Sequence, residues 1–231
     1  MMAEFAGEGA IRVERPGKTL RELALDKVRD AIFSGHFKPG DRLVERDLCA
    51  QLGVSRTIVR EVLRHLESEG LVSNLASKGP MVAHLGVDEA RQIYEIRGAL
   101  EGMAARLCAE KHDPATVEQL DGALQSIRDG YARADMVDVL ACTTQFYQTL
   151  FTSIERHIAW DVVKLMTVRI NHLRSMTIKT EGRAVEGPAQ MQKMVDAIRR
   201  GDGAAAERAA IEHVRRASEI AQAALKKRQS A

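Results

Sequence analysis

Residues 45–71, E-R-D-L-C-A-Q-L-G-V-S-R-T-I-V-R-E-V-L-R-H-L-E-S-E-G-L, restrict the fold of this chain more than any other stretch. Leu48 and Leu52 give a first short helix an apolar edge, and Gly53 can turn the backbone sharply after it. Ser55 is placed to cap a second helix. There Ile58, Val59, Val62, Leu63 and Leu66 recur at helical spacing, which predicts one buried face. Arg56, Arg60 and Arg64 recur every four residues and gather three guanidinium groups on another side, and Gly70 ends the helix. Two short helices joined by a glycine turn, the second basic at its start, suit the DNA major groove. The alternative is an amphipathic hairpin whose arginines are merely solvated.

The flanks weigh against that alternative. Lys38-Pro39-Gly40 with Leu43 precedes the unit, and residues 71–75 and 81–83 can pair as a hairpin around 77–80. The order G-x-x-x-P-G-x-x-L, V-S-R-T-x-V-R-E, then E-G-L-V closely resembles the winged helix-turn-helix of the GntR family of bacterial transcription regulators, over about residues 19–83. Ile58 stands where that family often has proline, a first-turn substitution that either residue tolerates.

With 231 residues the chain has room for two cores. The beginning lacks a sustained apolar run, so no secretory signal is expected, and no run approaches the roughly 20 apolar residues that cross a membrane. Cys49, Cys108 and Cys142 are far apart and odd in number, which suits small core residues in a reducing cytoplasm. A net charge of +2 is uninformative, because phosphate contact needs only a local cluster. Such a cluster exists around Lys38, Arg42, Arg46 and the three helix arginines.

The expected organisation is a mobile tail over 1–17, a winged helix-turn-helix over 18–83, a hinge at 84–87, a helical domain over 88–225 and a frayed tail over 226–231. Thr19 can cap a first helix with Leu20, Leu23, Val28, Ile32 and Phe33 inside, stopped by Gly35. After the hinge, with Asp88 as cap, every stretch has helical spacing. The stripes are Ile93-Ile96-Leu100-Met103-Leu107, a second from Val117 to Tyr131, a third from Met136 to Ile154, and Ile158-Val162-Leu165-Arg169-His172-Met176. Residues 179–187 look like a connection, Pro188 opens the next helix, and the last carries Ala206 to Ala224. The fold class is therefore mainly α: a small β-hairpin wing on the first half, and an all-α bundle of about six helices after it.

Glu95-x-Arg97-x-x-Leu100-Glu101, with Ala197-Ile198-x-x-Gly201-Asp202 leading to His213, resembles the FCD effector domain of the FadR subfamily of GntR regulators. Six helices resemble its VanR-like branch more than the seven-helix one. Many FCD domains hold a divalent metal through an aspartate and three histidines. Carried onto this chain, those positions fall on Thr143, Tyr147, Met191 and His213, and only the last is a metal ligand of the usual kind. No metal cofactor is expected. His172 as a replacement would leave two imidazoles and no carboxylate.

The economical expectation is a cavity that takes a small carboxylate effector directly. Arg97, Thr143, Tyr147, Arg169, His172 and His213 would supply polar contacts and Met191 part of the wall, with Arg97 pairing the carboxylate. Alternatively Arg97 only holds Glu101 at i,i+4, and the histidines are surface or hydrogen-bonded core residues.

The resemblance puts Arg46, Ser55, Arg56, Thr57 and Arg60 at operator-contacting positions, with Lys78 and Gly79 at the wing tip. Arg56 or Arg60 suits bidentate contact with guanine, and Ser55 and Thr57 suit phosphate. It also implies a homodimer on a palindromic double-stranded operator, in the cytoplasm, most often as a repressor. A constitutive or architectural dimeric DNA binder without effector is the second reading. An enzyme is not expected: there is no nucleophile–base pair at recognisable spacing, phosphate loop or intact metal set.

Overall fold

The computed structural model describes residues 17–75 and 79–229. The expected tail before residue 17, Ser77 and Lys78 of the wing turn, and the last two residues lie outside them.

Helix α1 (Leu20–Ser34) starts at Thr19, whose hydroxyl accepts from the Glu22 N–H while the Glu22 carboxylate accepts from the Thr19 N–H. Its buried side is Ala24, Leu25, Val28 and Ile32; Leu20 and Leu23, expected inside, are exposed. The helix packs against the next elements from its second turn onward, so its first leucine has nothing to meet. Helix α2 (Glu45–Leu52) ends at Gly53, φ +65°, and α3 (Arg56–Ser68) starts at Ser55, whose hydroxyl accepts from the Ile58 N–H. Val59, Val62, Leu63 and Leu66 of α3 are buried in one core with the inner side of α1, while Ile58 is only partly covered. Gly70, φ +74°, turns the chain into β1 (Val72–Leu75), which pairs antiparallel with β2 (Gly79–Val82), Val72 opposite Val82 and Leu75 opposite Gly79.

The connection that follows is short. Leu85 is buried, and Gly86 rather than Asp88 caps the next helix, with no side-chain hydrogen bond; Asp88 sits in its first turn. Six helices follow among the described residues: α4 (Val87–Lys111), α5 (Pro114–Ala132), α6 (Met136–Ser153), α7 (His157–Thr177), α8 (Arg183–Arg199) and α9 (Gly203–Gln229). They share a second core, separate from that of the winged unit. Helices α4 and α9 form the most extensive pairing, with small buried residues on both: Ala90, Ala104 and Ala105 against Ala206, Ala210 and Ala221. At Gly102 a Cβ would come within 3.0 Å of Ile211, so only glycine permits this approach without displacement.

Four expectations are corrected here. On α4 the buried side is Ile93, Tyr94, Arg97, Glu101 and Cys108, while Ile96 is exposed. On α7 it is Trp160, Val163, Ile170, Leu173, Arg174 and Thr177, while Ile158 (83 % exposed) and Leu165 (81 %) face out. Helix α8 begins at Arg183, so Pro188 lies inside it, not at its start. An interior proline gives up one backbone hydrogen bond, and the added turn carries a buried arginine. Helix α9 continues to Gln229, past the expected end at 225.

The two cores meet along α1 and α7. Val168 packs on the winged-unit core, the Arg169 Nε donates to the Glu69 carbonyl oxygen at 3.3 Å, and the Phe33 and His172 rings lie 6.4 Å apart. Arg29 binds the Glu69 carboxylate at 2.7 Å, tying α1 to the same turn. Clefts of about 640 and 800 Å³ flank this seam, the first reaching Met136 and Leu140, the second His84 and Leu225.

Candidate functional site

The exposed start of α3 carries Ser55, Arg56, Thr57 and Arg60, with Arg64 one turn further. Arg60 Nε reaches both oxygens of Glu45 at 3.0 Å, so a carboxylate from α2 orients this guanidinium. Arg46 pairs with the neighbouring Asp47 at 3.2 Å. Among the described residues Arg56 and Arg64 have no carboxylate partner. Exposed pairs of this kind contribute little to stability, and a phosphate or base edge can replace the carboxylate. Gly79, at the turn end of β2 opposite Leu75, adopts φ +74° beside Arg42. The face therefore presents a helix N-terminus, two unpaired guanidiniums and two exchangeable ones, which suits a polyanionic groove.

The second feature is inside the bundle. Arg97 of α4, Arg174 of α7 and Arg183 of α8 are all buried and line one cavity with Thr143, Met191 and His213. Glu101 is the sole carboxylate among the buried described residues. It takes Arg97 Nε at 2.8 Å and Nη2 at 3.2 Å, leaving Arg97 Nη1 without a hydrogen bond. Burial opposes the charge on Arg97, but Glu101 together with Tyr147 and Tyr94 outweighs it and holds the guanidinium protonated. Arg174 has no carboxylate: it donates to the Asn171 side-chain oxygen at 3.2 Å and lies 5.0 Å over the Tyr147 ring. Burial, then the charge of Arg97, pull its pKa down to about 10. Arg183 donates to Gln190 Oε1 at 3.1 Å and is likewise lowered by burial.

Gln190 fixes the histidine beside it. Its amide nitrogen donates to Glu186, so its oxygen accepts from both Arg183 and His213 Nδ1 (3.1 Å). His213 thus carries its proton on Nδ1. Burial, then Arg183, Arg97 and Arg174, push its pKa well down and keep the ring neutral. Among the described residues the buried Tyr94 hydroxyl has no hydrogen-bond partner, the Tyr147 hydroxyl lies close to Glu101, and both rings lie under Arg97. Burial raises the pKa of each.

Of the residues expected at an effector site, the structure brings together Arg97, Thr143, Met191 and His213, with Tyr147 stacked behind Arg97 and Arg174. It does not bring Arg169 or His172 there: both lie at the seam with the winged unit, Arg169 against Gly70 and Glu89, His172 near Phe33. Arg97 does hold Glu101 at i,i+4, yet it keeps one free edge. The sequence reading missed Arg174, Arg183, Tyr94 and Tyr131. Arg174 lies four residues after Ile170 and four before Ile178, both buried, a usable signal once the helix phase is right; Arg183 was hidden in an apparent loop.

The donor set does not fit a divalent cation. Thr143 spends its hydroxyl proton on the Val139 carbonyl at 2.7 Å, Met191 and Tyr147 fill two of the other positions, and no group of three His, Cys, Asp or Glu occurs among the described residues. Three guanidiniums around one imidazole would repel a cation.

Two expected outcomes follow from these charges. Arg97→Met strands Glu101 in the core and should lower unfolding stability by about 3–5 kcal/mol, whereas Arg174→Met removes an uncompensated buried charge and should be neutral or stabilising. Urea denaturation of both variants measures this, and equal losses would contradict the charge imbalance. Below the ordinary histidine value of about 6.5 the unfolded chain takes up a proton at residue 213 that the folded chain refuses. Stability should therefore fall as pH drops from 7 toward 5.5, and His213→Gln should flatten that part of the melting profile.

Comparison with known proteins agrees with this geometry. The family description "Bacterial regulatory proteins, gntR family" matches residues 20–82, and "FCD domain" matches residues 92–216. The chain is 32 % identical over 152 residues to an uncharacterised HTH-type transcriptional regulator from the TAR-I ttuE-ttuC' intergenic region of Agrobacterium vitis, covering 64 % of this chain and 86 % of that one. It is 26 % identical over 181 residues to the HTH-type transcriptional repressor RspR of Escherichia coli, covering 78 % and 79 %. The solved structure of E. coli McbR/YncC superposes with a TM-score of 0.72 at 22 % identity, covering 89 % of this chain and 98 % of that one, a likeness of fold. The two sequence relatives are named as transcriptional regulators, not enzymes. With a winged helix-turn-helix joined to an FCD bundle, the chain belongs to the GntR family of DNA-binding transcription regulators, of the FadR type.

Proposed function

We propose that this regulator is an effector-responsive repressor, acting as a cytoplasmic homodimer on a palindromic operator, with a small carboxylate bound in the arginine-lined cavity as its signal. The observation that carries this reading is the position of α7. That helix holds Arg174 in the cavity and Arg169 against the turn that ends α3, little more than one helical turn away. A displacement of α7 by a ligand therefore acts directly on the backbone that positions the reading helix.

The cavity volume, about 30 Å³, has room for about two waters. A carboxylate bearing a carbon skeleton has to open it, and α7 and α8 are the helices that move if it does. Binding then favours an arrangement different from the empty one, the condition for a ligand to switch anything. The connection at 84–87 articulates the movement, and the clefts beside the seam leave space for it. In the DNA-binding half, Arg56 and Arg60 read base edges, Ser55 and Thr57 fix the docking register on phosphate, Arg46 supports them, and Lys78 with Gly79 approaches the minor groove.

Fluorescence anisotropy with duplexes from the intergenic DNA beside the gene tests the DNA-binding half. Arg56→Ala should lose about 1–3 kcal/mol of discrimination between operator and mutated operator. Lys78→Ala should weaken both equally and reduce the salt slope by about one. Uniform losses for Arg56→Ala across all operator variants would remove its base-reading role. The coupling half is tested at the seam: Arg169→Ala should keep both operator binding and anion binding while shrinking the effect of one on the other. An undiminished effect would place the transmission elsewhere. If no carboxylate shifts operator affinity in the wild-type chain, constitutive binding is the correct reading.

A further inference from the structure

The charge balance of the cavity names a narrower ligand class, an inference that rests on the effector reading above. Three guanidiniums converge from three helices, and Glu101 already serves Arg97 with both oxygens. Neither Arg174 nor Arg183 has a carboxylate at hydrogen-bond distance among the described residues: an asparagine oxygen and the ring of Tyr147 meet the first and a glutamine oxygen the second, while Glu101 and Glu186 act on them only from further away. A buried guanidinium whose hydrogen bonds go only to amides keeps part of its desolvation penalty, and this site has two. Arg97 Nη1 adds an unused donor, and the arginine carrying it is 1 % exposed. The rest of the lining combines the polar side chains of Thr143, Thr177, Tyr131 and His213 with carbon from Ile127, Pro188, Met191 and Ala217.

We infer that the cavity binds a small organic dianion without a metal ion, one negative charge matching Arg174 and one matching Arg183, so that the guanidiniums take the place that a cation holds in related domains. A monoanion leaves one buried positive charge unanswered. A cation is repelled by the same groups, and the apolar part of the lining, Ile127, Pro188, Met191 and Ala217, favours a carbon skeleton over an inorganic ion. Dicarboxylates and phosphate monoesters share this chemistry.

The test is calorimetric titration of the full chain, first stripped with EDTA and then with added zinc, using a panel of anions. Malonate, succinate, glutarate and glycerol phosphate are each compared with a monocarboxylate of similar length. At least one dianion should bind at least tenfold tighter than its monoanionic counterpart, equally with and without zinc. Which arm responds separates carboxylate from phosphate. Arg174→Gln and Arg183→Gln should each erase the advantage, with circular dichroism melts showing both variants folded. Equal affinity for mono- and dianions, binding that requires zinc, or an advantage that survives both substitutions would overturn the inference. If monocarboxylates bind as well as dianions and shift operator affinity, the effector reading stands and only the charge preference is lost. If no anion on the panel binds, both fall together.

Discussion

A guanidinium removed from water needs a negative charge near it, and among the described residues this bundle buries one carboxylate for three such groups. Arg97 and Glu101 satisfy each other across one helical turn in full burial. Arg174 and Arg183 have only amides and an aromatic face. An arrangement of this kind lowers the stability of the empty protein and raises the gain from any anion that enters. The same surplus keeps His213 neutral and makes the cavity hostile to a cation. One imbalance therefore bears together on the pH response, on the poor fit of a metal ion and on the charge of the ligand we propose.

The rest of the architecture serves the placement of these groups. The α4–α9 pairing rests on alanines and Gly102, which allow the helix carrying Arg97 and the helix carrying His213 to lie close. Helix α8 tolerates Pro188 in its interior and so extends back to Arg183. Helix α7 has two working sides: Arg174 and Leu173 turn inward, and Val168 and Arg169 meet the winged unit. Its outward side exposes Ile158 and Leu165. The glutamate at residue 69 joins the neighbourhood together, its carbonyl taken by Arg169 and its carboxylate by Arg29.

The DNA-reading half follows a different logic. Its residues are exposed, weakly paired and mounted on a small rigid core, so that the groove meets preset side chains. Glu45 holds Arg60 from the preceding helix, while Arg56 is left unpaired among the described residues. Orientation is built into one guanidinium, and the other is free to adapt. Membership of the GntR family accounts for this half through residues 20–82 and for the bundle through residues 92–216.

The sequence by itself determined the local events. Capping at Thr19 and Ser55, the glycine turns at Gly35 and Gly53, the order of elements and the exposed arginines of α3 all depend on residues a few positions apart. The Arg97–Glu101 pair was legible for the same reason, being four residues apart on one helix. Tertiary packing decided which side of each long helix faces in. On α7 an apolar stripe containing Ile158 and Leu165 competes with one containing Trp160, Val163 and Ile170, and only the neighbouring helices select the second. That choice moved Arg169 and His172 out to the seam and Arg174 into the cavity. Arg183 was obscured because proline and glycine nearby read as a loop, while contacts with the rest of the bundle sustain a helix through them. Periodicity records that a helix has an apolar side; when two sides qualify, the partners it meets choose between them.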